Sequence, residues 1–224
     1  MARQRSRTAG IFITLEGGEG SGKSTQAARL AQALRAEGYA VLLTREPGGT
    51  PAAEQLRAVL LKNNSESLAA ETEAFVILAA RRQHVDHVIA PALQQGAIVI
   101  CDRFIDSTLA YQGYARGLDL KTLRTMNRWA TGGLAPDLTL LLDLPVATGL
   151  RRRQRDAAGQ NRLDRETKRF HENVRSGFLQ LARKEPRRIK PVNAARTPDR
   201  IADDVRMLVF DWLERRWLHA GRRK

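Results

Sequence analysis

The stretch LEGGEGSGKSTQ (15–26) combines glycines, a lysine and hydroxyls in the spacing Gly17-x4-Gly22-Lys23-Ser24. Glycines let successive backbone N–H groups converge on phosphate oxygens, and a helix opening at Lys23 adds the partial positive charge of its N-terminus. A lysine at that point reaches the β- and γ-phosphates of a nucleoside triphosphate, and the Ser24 hydroxyl is placed to ligate Mg²⁺. The pattern is that of a P-loop, with Gly17, Gly18, Glu19, Gly20, Ser21, Gly22, Lys23, Ser24 and Thr25 holding ATP or GTP.

Two more clusters carry chemistry. AIVICDR (97–103) ends in Asp102-Arg103, one acid followed by one base, rather than in the adjacent acids of a strong ATPase. Transfer of a phosphoryl group between two anions needs cations between donor and acceptor and a carboxylate to orient Mg²⁺ or its water. The second cluster, TREPGGT (44–50), sets Arg45 and Glu46 before a Pro-Gly-Gly turn that lets backbone approach a ligand. The Asn-Lys-x-Asp string by which familiar GTPases read guanine does not occur.

Such residues must be positioned by strands and helices. Runs rich in Ile, Val and Leu recur at 10–16, 39–46, 97–103, 137–144 and, more weakly, 188–194. Between them lie segments of helical periodicity: 24–38, 51–62, 69–94, 119–131, 146–156, 165–184 and 198–218. Gly38 stands where the first helix should stop. Strand and helix in alternation predict an α/β fold with a parallel sheet, right-handed crossovers and helices on both faces. The small polar segment DAAGQNR (156–162) is expected to be mobile.

A chain of 224 residues suits one domain, here 10–219, with basic ends at 1–9 and 220–224. The net charge of +14 is uneven: residues 1–10 carry +3, residues 151–190 carry +9 (14 basic against 5 acidic) and residues 215–224 carry +5. The lone Cys101, the lack of an apolar run near the roughly 18 residues of a membrane span, and a start without an apolar signal core predict a reduced, cytoplasmic protein without a membrane anchor.

Taken together the pieces resemble thymidylate kinase, the family that makes dTDP from dTMP and ATP. The matching strings are LEGGEGSGKST, TREPGGT, CDRFIDSTLAYQGYARG (101–117), GLAPDLTLLLDLP (133–145) and NRLDRE (161–166), in order, over residues 10–210. The resemblance implies a P-loop kinase core of five parallel strands, ATP with Mg²⁺, a homodimer, and a mobile lid at about 151–165. It implies that Arg103 and Arg81 contact the acceptor nucleotide, with Arg45 and Arg57 nearby, and that Ser107, Thr108 and Gln112 read the base edge. Tyr111 would stack near the deoxyribose, and Glu46 would lie close to the sugar or the metal. Glu16 and Asp102 would order Mg²⁺ and the phosphates, with Asp102 and Ser24 as metal ligands alongside Lys23 on the donor. Some members carry an arginine inside the P-loop; others supply it from the lid. Gly18-Glu19-Gly20-Ser21 contains none, whereas RRRQRDAAGQNR is rich in arginine, so the chain resembles the bacterial lid-arginine type, with Arg155 and Arg162 as the candidates. Arg151 to Arg153 read equally well as a solvated helix face, and Asp164 as a cap of the next helix.

One position departs from the family. Ile77 stands where members commonly have a phenylalanine stacked on thymine, and Phe75, two residues earlier on the helix, is expected to face the core. A kinase for another nucleoside monophosphate is therefore the alternative. A basic nucleic-acid-binding P-loop ATPase fits less well, because the charge is split between the ends and the lid and only 5% of residues are aromatic.

Overall fold

The computed structural model describes residues 10–62, 67–155 and 162–221. Residues 156–161 of the segment expected to be mobile (156–162), the arm at 1–9 and residues 222–224 of the basic end lie outside the described residues.

Five parallel strands form the sheet: β1 (Ile11–Glu16), β2 (Val41–Arg45), β3 (Ile98–Asp102), β4 (Leu138–Asp143) and β5 (Ile189–Asn193), in the order β2-β3-β1-β4-β5. The helices are α1 (Lys23–Ala36), α2 (Pro51–Leu61), α3 (Ala70–His84, extended by a wide turn at Val85–Ile89 and a further turn at Ala90–Gln94), α4 (Ile105–Thr108, extended by a wide stretch at Leu109–Ala115), α5 (Leu120–Ala130), α6 (Val146–Arg155), α7 (Lys168–Lys184) and α8 (Pro198–Gly221). A short 3₁₀ turn, Arg162–Arg165, precedes α7. No helix among the described residues is long and apolar enough to cross a membrane.

The period-2 alternation of the strands divides the core. Ile11, Ile13 and Leu15 of β1 pack with Leu30 and Leu34 of α1 and with Val205 and Val209 of α8, while Phe12 turns to the other face against Val85, Ile89 and Phe104. Thr14 on that second face is fully buried and satisfied by a 2.8 Å hydrogen bond to the Thr139 hydroxyl. Because the strands are parallel, all their C-terminal ends lie at one edge, and β1 sits at the point where the strand order reverses. Open α/β sheets bind ligands in that crevice. The register sets Arg45 and Leu15 opposite Asp102, so the three chemistry-bearing loops leave the sheet at one level.

The strands and most helices fall where the periodicity put them, and Gly38 ends α1 with φ +84°. One element is new and one expectation is corrected. Helix α4 was not foreseen, because the groups that start it are not local: the Glu16 carboxylate, at the end of β1, accepts from the N–H groups of Phe104 (2.8 Å) and Ser107 (3.2 Å). Phe75 does not enter the core but stands 60% exposed, since α3 buries the face that carries Ala74, Leu78 and Arg81, and Phe75 lies about 100° round from it.

Candidate active site

The loop after β1 is shaped by glycine. Gly17, Gly20 and Gly22 have φ of +145°, +67° and +87°. A Cβ on Gly20 would stand 2.2 Å from the Gly149 carbonyl oxygen in the first turns of α6, so the loop and α6 meet backbone to backbone. Lys23 is buried and donates from Nζ to the Gly18 carbonyl (2.8 Å) and to Ser21 Oγ (3.3 Å). Burial, then the neighbouring Arg103, pulls its ammonium down to about 8 against the opposing pull of Glu19, Asp102 and Glu16. Ser24 Oγ donates to Asp102 Oδ2 at 2.5 Å, which brings the hydroxyl of α1 and the carboxylate of β3 side by side.

Arg103 is the one non-glycine residue with positive φ, +70°, among the described residues. Such a backbone costs roughly 1–2 kcal/mol and persists where the surroundings over-determine it. Here its N–H continues the ladder to the Leu15 carbonyl (2.9 Å), while the guanidinium donates to the Gly17 carbonyl (3.0 Å), Ser107 Oγ (3.2 Å) and Glu19 Oε1 (2.8 Å) and lies over the Tyr111 ring at 5.0 Å. Tyr111 also donates its hydroxyl to Glu19 Oε1 at 2.7 Å. Burial alone would raise the Glu19 carboxyl; Arg103, Lys23 and the Tyr111 bond outweigh it and hold the group at about 2. The P-loop position that lacks an arginine thus carries an ionised glutamate that anchors one.

On the other side of Arg103, Arg81 is 2% exposed and nearly saturated. Nε donates to Glu46 Oε2 (2.7 Å), one terminal nitrogen to Thr108 Oγ1 (2.8 Å) and Asn127 Oδ1 (2.5 Å), and the other to the Phe104 carbonyl (3.0 Å). Glu46 is held a second time by His84 Nδ1 at 3.2 Å, and His84 Nε2 lies 2.7 Å from Thr44 Oγ1. Arg45 is paired with Glu54 (2.9 Å), and Arg57 donates to the Pro47 carbonyl (2.8 Å). Burial, then Arg45 nearby, lowers the Arg57 pKa from its ordinary value.

Many of these groups line one cavity of about 480 Å³. Gly20, Lys23, Ser24 and Thr25 line its donor end; Arg45, Arg57, Ile77, Thr108, Tyr111 and Gln112 line the other, with Asp102 and Arg103 between. The half-buried Ile77 supplies an apolar wall there.

Several sequence expectations change here. Glu16 is fully buried and does not line the cavity; besides capping α4 it accepts from Ser107 Oγ at 2.6 Å, so it shapes the loop that presents Ser107 instead of facing phosphate. Burial and then the nearby Asp106 push its carboxyl up to about 7, against the hydrogen bonds of Ser107 and Phe104 and the charge of Arg103. Arg155, the last residue of α6, is exposed and does not line the cavity. Arg152 and Arg153, read as a possible solvated face, line it instead: Arg152 donates to the Ala194 carbonyl (3.1 Å) and Arg153 to Asp164 (3.0 Å). Arg162 lines the cavity too, but pairs with Glu73 (2.7 Å) and donates to the Leu60 carbonyl (3.2 Å). The cap of α7 is Thr167, not Asp164. Glu73 went unnoticed in the sequence, where one acid on a helix has no distinguishing signal.

A family model described as Thymidylate kinase matches residues 15–205. The chain belongs to the thymidylate kinase family. It is 53% identical over 200 residues to the thymidylate kinase of Syntrophotalea carbinolica, covering 87% of this chain and 93% of that one. To the thymidylate kinase of Thermomicrobium roseum it is 52% identical over 204 residues, 91% and 96% of the two chains. A crystal structure of thymidylate kinase from Ehrlichia chaffeensis superposes with a TM-score of 0.73 at 35% identity, covering 90% of this chain and 99% of that chain. The chain is thus an enzyme of the nucleoside monophosphate kinase class, and its five-stranded parallel sheet is the P-loop kinase fold expected of it. As a thymidylate kinase family member it has no arginine within Gly18–Ser21 of the P-loop, and its arginines at 152, 153 and 162 stand at the cavity.

Proposed function

We propose that this chain transfers the γ-phosphoryl group of ATP to dTMP, giving dTDP and ADP. The observation that carries the reading is the single cavity in which a P-loop and a cluster of arginines face each other across Arg103. Backbone amides of Gly18–Ser24 and Lys23 hold the donor phosphates. Arg103, with Arg45 and Arg57 beside it, receives the acceptor phosphate, and Arg103 is rigid because Glu19, Tyr111 and Gly17 fix its plane. Arg81 with Thr108 and Gln112 forms the polar end that meets the base, Tyr111 packs by the sugar, and Ile77 covers the base face. Arginines of the 151–165 lid, with Arg152, Arg153 and Arg162 at the cavity, neutralise charge on the transferring group as water is excluded.

Ser24 Oγ and Asp102 Oδ2 are hard oxygen donors in contact, and Mg²⁺ is commonly held by one or two such groups together with substrate phosphates. They would hold the ion, which supplies charge neutralisation across the β- and γ-phosphates. The test is ADP release with a panel of monophosphates: dTMP gives turnover and dCMP, dGMP and AMP little. Turnover with one of these but not with dTMP would overturn the substrate while sparing the chemistry.

The chain also forms a homodimer in this reading. Phe75 on α3 and Trp129 on α5 stand 60% and 82% exposed on two helices that contact each other, and these large apolar side chains are what a second copy would cover. Light scattering should give twice the 25.0 kDa of the chain, and the double variant Phe75→Glu/Trp129→Glu should give the single-chain mass. A wild-type protein of single-chain mass at tens of micromolar would refute the dimer.

A further inference from the structure

The carboxylate of Glu73 is 1% exposed, lies at the start of α3, and gathers donors from three directions. Oε2 accepts from Gln112 Nε2 (3.1 Å) and Arg116 Nε (3.2 Å); Oε1 accepts from Arg116 (2.9 Å) and from Arg162 (2.7 Å), the first residue of the 3₁₀ turn that precedes α7. Arg116 in turn pairs with Glu166 (2.5 Å) and lies over the Phe170 ring at 4.5 Å. Gln112 lines the cavity, and its Oε1 is buried without a hydrogen-bond partner among the described residues.

An amide can present either its oxygen or its NH₂ to a ligand, and a 180° flip exchanges the two. A carboxylate is an acceptor only, so the Gln112 NH₂ must face Glu73; the flipped amide would set oxygen against oxygen in a buried place. The Gln112 oxygen is then the atom left for the ligand. We infer that Glu73 is a specificity-determining residue: by holding the Gln112 NH₂ it fixes the amide so that an acceptor meets the base, selecting pyrimidines whose N3 carries a hydrogen. Thymine and uracil have that N3–H, whereas N3 of cytosine is itself an acceptor and would meet Gln112 Oε1 unpaired. The same carboxylate fastens Arg162, so the group that orients the base reader also ties down the turn Arg162–Arg165.

This inference rests on Gln112 reading the base, so the two are tested separately. In Glu73→Gln the residue at 73 offers both donor and acceptor, and the Gln112 amide is free to turn. The ratio of kcat/KM for dTMP over dCMP should fall about tenfold, mostly through KM for dTMP. Because Glu73 also serves two arginines, Glu73→Asp is the companion variant if the first does not fold: it keeps the charge but withdraws it by about 1.5 Å, and the ratio should fall by a smaller factor. A folded variant with a wild-type dTMP/dCMP ratio, whatever its turnover, overturns the role of Glu73. Gln112→Ala distinguishes the layers. If it collapses the ratio while the Glu73 variants do not, only the orienting role is wrong; if it leaves the ratio intact, the base-reading assignment falls and the inference with it.

Discussion

Arg103→Ala lowers turnover by about 10²–10³-fold, the loss expected when a preorganised cation aimed at developing phosphoryl charge is removed. The size follows from how the side chain is held. Its fork is oriented by Gly17, Ser107 and Glu19 and packed on Tyr111, so little reorganisation is needed when a second anion arrives. Arg103→Lys keeps a charge but not the planar fork and should recover only part of the rate. The fold should survive either change, because Glu19 retains Tyr111 and Lys23 as neighbours and the strand-end backbone bond to Leu15 does not involve the side chain. Steady-state kinetics with thermal unfolding separates the two effects. A variant within a factor of about ten of wild type would remove Arg103 from the site as described.

Lys23→Ala produces a loss of similar or larger size, about 10³-fold in kcat/KM for ATP, with KM for dTMP much less affected. The lysine also makes a signed prediction. Its ammonium is depressed to about 8 by burial and by Arg103, and bound phosphate would restore the charged form. Below about pH 8 the free enzyme already carries the charge; above it a proton must be taken up on binding, so KM for ATP should climb as pH rises through 8, by up to about tenfold per unit. A wild-type KM for ATP that stays flat between pH 7 and 9.5 would contradict this role, as would near-normal rates in Lys23→Ala.

Glu46 and Arg81 show how far the site could be read before folding was known. Glu46 stands out by its place at a strand end and Arg81 by resemblance, yet neither reading makes them a mutually buried pair 2.7 Å apart with His84 behind it. The sequence names residue types at the ends of strands; it does not say which face their neighbours. Truncating one member of such a pair typically costs roughly 3–5 kcal/mol because the other is left charged and unpaired. Position 81 therefore supports the frame of the site. Glu16 makes the same point: a carboxylate between a strand and a P-loop is expected to order Mg²⁺ and the phosphates, whereas the structure shows it accepting the N–H groups of α4, a helix absent from the local pattern.

The sequence by itself determined the donor half of this protein. Gly17-x4-Gly22-Lys23-Ser24 needs only backbone torsions and the helix that follows it, and both are local. It also determined the alternation of strands and helices, since a parallel sheet covered on both faces writes its apolar runs continuously along the chain. The acceptor half was decided by tertiary structure. Glu19 anchoring Arg103 across 84 residues, Glu73 gathering Gln112, Arg116 and Arg162, and Phe75 turning outward all depend on which helix face meets which neighbour. Those pairings are set by packing between elements distant in sequence, where one residue's step on a helix turns a side chain by about 100° and exchanges core for solvent.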